Sequence, residues 1–481
     1  MSAIDRAGDD DLLSVAPPER PPFDTADPQW WLAVLLERLH SRAPYYRKRI
    51  DYYRGRHELL FLTDKYRQAF GRWLRRISDN WCAVVIDAAV ERMAVEGFRF
   101  ATAAGFSASD REAWAMWQAN ALDAYSDDLH TLVLACGEAA AIVEPPPEGR
   151  PYPRITVENP LEVAVYGDPA TRVAALKRTR GLDGYVYVTL WLPDLVCHFR
   201  STRPGSGAGN LFEEDVDAGG VETNEIGVVP VVPFRNVGAA LTDATTEPAP
   251  SDLDGIIPMQ DTINKLVADL MIDSEFAAFK QKVFIGVEAP TDENGRALHS
   301  TESAASRIIT LTNSDSKIAE FSAADPAGLI RAIEMRNQQL CAIARIPPYY
   351  LLGQSGTFPS GESLKAAETG IVKKVTRRNR VVAESWETTM RLGFAYMGDL
   401  ERARAEDAET IWANPETRSE ASLADAALKK NTIGIPLVQI AEDLGYSPQQ
   451  IERMEQMRKD ALGTGTDNPA DNPANVDAGA G

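Results

Sequence analysis

The side chains best suited to metal binding or nucleophilic attack in this chain are five histidines and four cysteines, and they are scattered: His40, His57, His130, His198, His299, Cys82, Cys136, Cys197 and Cys341. No CxxC pair occurs and no histidine lies at ligand spacing from a cysteine, so a zinc site is not expected and reduced, buried thiols are the plainer reading. The chain has no GxxxxGK[ST] phosphate loop, no GxSxG elbow and no HExxH. GQSG at Gly353 lacks the lysine of a phosphate loop and the strand-to-helix setting of an elbow, and the PSGE that follows reads as a turn. No catalytic constellation, metal site or cofactor is expected.

Three other groups have the composition for nucleic acid. Tyr45, Tyr46, Arg47, Lys48, Arg49, Tyr52, Tyr53, Arg54, Arg56 and His57 mix cations for phosphate with rings for stacking. The competing reading is an amphipathic helix whose tyrosines pack inward while its cations meet acidic groups of a neighbouring subunit, and it is favoured because the chain is acidic. Lys365, Lys373, Lys374, Arg377, Arg378 and Arg380 make a second basic set, for which a solvated face or pairing across subunits weighs at least as much as DNA contact. IPLVQIAEDLGYSPQQIERMEQMR has the spacing of a helix-turn-helix, but Glu452 and Glu455 offset Arg453 and Arg458 on its second helix. Helical packing is therefore favoured there.

The elements that position these residues follow from periodicity. Helical patterning starts at Trp30 and Trp31; Pro44 breaks it or begins a second helix, and Gly55 offers an end. Further helices are expected over Asp64 to Ile77 and Trp81 to Val95. From Thr131 to Arg200 the period becomes strand-like, from VLACGEAAAIVE to YVYVTLWLP, with a hairpin turn at Gly167-Asp168-Pro169. Residues 201–225 read as a surface loop, and VVPVVPF as an edge or irregular strand because its prolines cannot donate to a ladder. A helix then opens near Ser251 or Asp252, with Pro258 in its first turns and a stripe of Ile263, Leu266, Leu270, Ile272, Phe276 and Phe279. Short runs VFIGV, RIITL and KIAEF between Val283 and Phe321 suit a small strand-and-turn module. A second helix runs from Asp325-Pro326 to Ile346, before Pro347 and Pro348. After the Gly-rich loop GQSGTFPSGE, a helix from Glu362 to Met397 extends roughly 54 Å. Acidic helices follow at Ser419 to Lys430, Pro436 to Leu444 and Pro448 to Ala461.

This order of helix, β knob, helix, IPPYYLLG, Gly/Ser loop and long helix resembles the portal proteins of tailed bacteriophages, in particular the Gp6-like family common in phages of actinobacteria. YYRGRHELLFL, NWCAVVIDAAVERMAVEGFR, ENPLEVAVYGDPATRVAALKR and GVVPVVPFRN resemble that family's recurring segments, so the similarity spans Trp30 to Gly398. The resemblance implies an α+β, predominantly α-helical chain with the wing, stem, clip and crown of a ring-forming portal. On that plan residues 1–28 are a loose arm, 29–250 the wing, 251–282 and 324–346 the stem helices and 283–323 the clip. Residues 347–360 are the tunnel loop, 361–398 the long wing helix, 399–462 a crown-like region and 463–481 a disordered tail. Gly353, Gln354, Ser355, Gly356 and Thr357 would face DNA. The implied partners are other copies in a ring of roughly twelve, double-stranded DNA in its channel, the terminase large subunit, head-completion or adaptor proteins, and the major capsid or scaffolding protein.

Composition is compatible with this. The 481 residues, 44% hydrophobic and 25% charged, have an ordinary globular balance. No apolar run approaches a membrane span and the N-terminus is acidic and proline-rich, so no membrane partner is expected and assembly in the host cytoplasm into the virion is. A net charge of −20 disfavours tight DNA binding but not a conduit whose walls let a duplex slide. The alternative of another class is a soluble DNA-binding or regulatory protein using the C-terminal helix pair.

Overall fold

The computed structural model describes residues 27–58, 79–102, 105–106, 110–205, 211–237, 248–278, 282–285, 308–311, 318–320, 326–350, 361–416, 420–446 and 448–463. The expected helix at Asp64 to Ile77, the N-terminal arm and the C-terminal tail lie outside them. The chain divides into two units, one from residues 1–47, 88–251 and 372–481, the other from 48–87 and 252–371.

In the first unit, α1 (Pro28–Tyr53) lays Trp31, Leu32, Leu35, Leu36 and Leu39 on one face of an antiparallel sheet. That sheet runs β10 (Phe212–Glu214), β9 (Leu195–Ser201), β8 (Val186–Trp191), β7 (Ala174–Arg180) and β6 (Val163–Tyr166), with β11 (Val221–Thr223) also paired to β9. The period of two sorts its side chains: Ala164, Ala174, Leu176 and Leu190 meet α1, whereas Val163, Val165, Ala175 and Trp191 pack with Ala140, Ile142, Val229 and Val231 on the opposite face. The latter belong to or border a second sheet, β12 (Val231–Arg235), β4 (Glu138–Glu144) and β5 (Arg154–Glu158), in that order. Pro233 stands on β12, an edge strand as its missing N–H requires.

The first unit also holds β1 (Val95–Arg99), α3 (Arg111–Ala119), α4 (Leu122–Cys136), residues 88–90 of α2 (Trp81–Val90) and residues 372–396 of the long α7 (Gly361–Tyr396). Short strands β2 (Ala101–Thr102) and β3 (Gly105–Phe106) pair with each other. On α7, Val375, Asn379, Val382, Trp386, Met390 and Phe394 are buried at three- and four-residue spacing. Trp386 is boxed by Trp117 and Phe234, each with ring centroids at 4.8 Å. After α8 (Leu400–Ala403), β16 (Glu409–Trp412) pairs antiparallel with β1, and α9 (Glu420–Thr432), α10 (Leu437–Asp443) and α11 (Pro448–Gly463) complete the chain.

In the second unit, α5 (Ile257–Ala278) and α6 (Pro326–Ala344) pack together. Between them in sequence stand β13 (Lys282–Ile285), β14 (Ile308–Leu311) and β15 (Ile318–Glu320), a three-stranded sheet with β13 central, parallel to β14 and antiparallel to β15.

Several expectations change. Pro44 does not break α1; it sits at an exposed position, where water can take the carbonyl bond its ring displaces, and the helix ends before Gly55, at φ +72°. VLAC is the end of α4 rather than strand, and β4 starts only after Gly137 turns the chain at φ +93°. The helix from Trp81 stops at Val90, and β1 follows. Residues 201–225 are not all loop, since β10 and β11 pair along β9.

Candidate functional site

The expected DNA-facing loop, Gly353, Gln354, Ser355, Gly356 and Thr357, lies outside the described residues, but both of its flanks are on view. Before it, Pro348–Tyr350 form a 3-10 turn in which Tyr349 and Tyr350 stack at 5.2 Å. The Tyr349 hydroxyl donates to Glu368 on α7 at 2.7 Å. Gly370 lies against the Arg345 carbonyl, which a Cβ there would meet at 3.3 Å. Turn and helix are thus tied to each other on either side of the loop.

The basic set on α7 divides by exposure. Lys365, Lys373, Arg377 and Arg380 are exposed, whereas Lys374 and Arg378 are half-buried. Residues 373, 377 and 380 fall at i, i+4 and i+7, one stripe of the helix, away from the buried Val375–Val382–Trp386 stripe.

The Tyr45 to His57 segment packs inward. Tyr46 and Tyr52 are buried, and Tyr53 donates to Asp87 at 2.9 Å. Tyr52 donates to Asp261 of α5 at 2.6 Å, and its phenol is pushed up by burial and then by that hydrogen bond. Arg49 grips Asp254 with Nε and Nη2 at 2.9 and 2.8 Å, and Arg56 pairs with Asp51 at 2.6 Å. His57 accepts at Nδ1 from Asn264 at 3.1 Å and faces the Tyr52 carbonyl and Asn80 with Nε2 at 3.2 and 3.3 Å. Burial holds its pKa below the ordinary value. These contacts favour helix packing over base stacking, with carboxylates of the same chain as the partners.

The C-terminal helix pair is docked rather than presented. Arg99 of β1 donates to Glu409 at 2.7 Å and to the buried Glu442 of α10 at 3.0 Å, and Arg111 reaches Glu452 of α11 at 3.2 Å. All four cysteines are buried and outside any disulfide, and burial raises the thiols of Cys82 to about 12 and Cys341 to about 11. Among the described residues no group of three His, Cys, Asp or Glu is arranged to hold a metal ion. None of the described helices is long and apolar enough to cross a membrane.

One cluster escaped the sequence reading: Arg38, Arg42 and Tyr46 on α1 meet Glu138 on β4 and Arg235 on β12 in a small cleft. Arg42 Nη1 donates to Glu138 Oε1 at 2.7 Å, and the Tyr46 hydroxyl donates to the same oxygen. A signal existed: Leu35, Leu39, Arg42 and Tyr46 share one buried helical stripe, and an arginine within it demands a partner.

The described residues thus form a mixed helix-and-sheet protein in which two packed helices flank a small sheet in sequence and one very long helix follows. Comparison with known proteins gives its family. The profile of the family described as "Phage portal protein, SPP1 Gp6-like" matches residues 32–462, and the chain belongs to that family. The portal protein of Mycobacterium phage L5 is 30% identical over 407 residues, covering 79% of this chain and 79% of the relative. The portal protein of Mycobacterium phage D29 matches to the same extent. The role that follows from the family is a conduit for genome packaging and ejection.

Proposed function

We propose that this chain assembles into a closed ring of roughly twelve copies at one capsid vertex, through whose bore double-stranded DNA is packaged and later released. The observation that carries this reading is the family match over residues 32–462. In the ring, α5 and α6 form the stem and the three-stranded sheet between them the clip. Residues 347–360 serve as the tunnel loop, 29–250 and α7 as the wing, and 399–462 as the crown-like region. The clip meets the terminase large subunit during packaging and head-completion or adaptor proteins afterwards, while the wing and crown meet the major capsid or scaffolding protein. The energy for DNA movement comes from the terminase.

The electrostatics suit a conduit. A chain of net charge −20 repels a duplex from its walls, and the exposed stripe of Lys373, Arg377 and Arg380 is available for short-lived phosphate contacts or for acidic neighbours in the ring. Assembly is expected in the host cytoplasm before incorporation into the virion. Negative-stain imaging of the purified chain tests the proposal: hollow annuli are expected, and compact single particles at high concentration, with no annulus in virions, would refute it. The reading as a DNA-binding regulator is disfavoured by the docking of α10 and α11 through Arg99 and Arg111.

A further inference from the structure

The cleft between α1 and the ends of β4 and β12 has an unbalanced charge. Its walls are Arg38, Arg42, Tyr46, Glu138 and Arg235, closed by apolar groups such as Val163 and Pro233. Among the described lining residues three guanidinium groups therefore face one carboxylate, with Asp168 acting on Arg235 from outside the cleft. The imbalance is built into the backbone: Arg38, Arg42 and Tyr46 stand at i, i+4 and i+8 on one helical face, and Arg235 is directly opposite Glu138 in the antiparallel register. Arg42 and Arg235 are 3% and 9% exposed. Arg235 spends Nη2 on the Gly167 carbonyl at 2.9 Å, and Arg38 lies over the Tyr166 ring at 5.9 Å.

Titration behaviour agrees with an excess of positive charge. Burial pushes the Arg38 guanidinium down to about 10, Arg42 and Arg235 push the same way, and only Glu138 and Tyr46 oppose them. Burial raises the Glu138 carboxyl, but Arg42, the Tyr46 hydrogen bond, Arg38 and Arg235 together hold it below the ordinary carboxylate range. Adding a second carboxylate would offset half of the positive charge that one glutamate leaves in the lining. The space left is small, about one or two water-sized groups. That matches the two oxygens of a carboxylate better than the four of a phosphate, and planar guanidinium forks favour a carboxylate in the same way.

We infer that this cleft is a binding site for a second carboxylate, inserted beside Glu138 and held by Arg38 and Arg235. The carboxylate comes either from a small free acid or from an Asp or Glu side chain of another copy, and the site does not depend on the portal reading.

The test uses the full chain. Thermal unfolding is followed against sodium acetate, with sodium chloride at equal ionic strength as control, for the wild type, Arg38→Met and Arg38→Lys; assembly size is measured in parallel by light scattering. Arg38 is the half-buried member of the set, so its replacement spares the Arg42–Glu138 pair. A saturable acetate-specific rise in Tm is expected, with Arg38→Met raising the half-saturating concentration about tenfold or more and Arg38→Lys falling between. If that shift occurs and assembly size is the same in all three proteins, the occupant is a free acid. If Arg38→Met shrinks the assembly and Arg38→Lys partly restores it, with or without an acetate shift, the occupant is a second copy's side chain. Acetate indistinguishable from chloride, together with unchanged assembly in Arg38→Met, overturns the site. Annuli in micrographs test the portal reading separately, since either result there leaves the acetate measurement intact.

Discussion

His130 should impose a pH dependence on the first unit that an apolar replacement removes. Its side chain is 0% exposed, between the rings of Trp386 and Trp412, and Nε2 accepts from the Trp386 indole N–H at 3.0 Å. An accepting Nε2 fixes the neutral tautomer with its proton on Nδ1, so charging the ring would place a second proton against the indole N–H. Burial accordingly lowers the pKa from 6.5 to about 3. The folded state therefore stays neutral while the unfolded chain takes up a proton below pH 6.5, and stability falls as the pH drops through that window, approaching about 1.4 kcal/mol per unit. Between pH 7.5 and pH 5 the accumulated loss is about 2 kcal/mol. The double substitution His130→Leu with Trp386→Phe removes donor and acceptor together, leaving no orphaned polar atom. Burial raises Glu387 beside Trp386, but that group is common to both proteins and cancels in the difference. Urea unfolding followed by tryptophan fluorescence, at pH 7.5 and pH 5, gives the two slopes. Whatever stability the double variant starts from, it should lose about 2 kcal/mol less on acidification. Parallel losses in the two proteins would refute a neutral, buried His130.

Arg99→Met should cost about 3 kcal/mol in the same unfolding assay, because it leaves the Glu442 carboxylate, with a side chain 5% exposed, without its guanidinium. Glu442→Gln should cost about 1 kcal/mol or less, since burial already pushes that carboxyl up against the attraction of Arg99. Gly137→Ala should cost about 3 kcal/mol or prevent soluble expression, as its Cβ would lie 2.1 Å from the Ala249 carbonyl at φ +93°; Gly149→Ala, also at positive φ but with open space, should cost only about 1 kcal/mol. Arg377→Ala with Arg380→Ala should shift stability by no more than about 0.5 kcal/mol, both being exposed, so any defect in assembly or DNA filling of capsids would report their function directly. Gly353→Pro with Gly356→Pro should leave annuli intact in micrographs yet reduce DNA filling of capsids, and unchanged filling would count against a shifting tunnel loop.

What could be read in the sequence was what local periodicity encodes. The stripe on α7 repeats its buried residues every three or four positions from Val375 to Phe394, and the helix forms over Gly361–Tyr396 as that repeat and the glycines before it require. The strands at 282–285, 308–311 and 318–320 lie within the β-branched runs between their turn residues. What escaped depends on partners far along the chain. ETIW at 409–412 is too short to show a strand period, and it is a strand because Val95–Arg99 offers an edge more than 300 residues earlier. The carboxylate cleft is the same problem in sharper form, since Glu138 and Arg235 meet only through the β4–β12 register. Pro44 escaped for a different reason: whether proline stops a helix depends on whether water can reach the carbonyl it orphans, and exposure is a tertiary property.

The placement of charge ties these findings to function. Arg42, Arg49, Arg99 and Arg402 each pair with carboxylates of the same chain in part-buried settings. Each such pair removes one charge of each sign, so the excess of 70 acidic residues over 50 basic ones is left to the surface. Such a surface holds a polyanion weakly, and a conduit must do so if DNA is to keep moving. In the proposed ring, a recessed cation could receive a surface acid of the next copy. The cleft holding three arginines and one glutamate is such a recess, and Arg38 is the cation at which that reasoning can be measured.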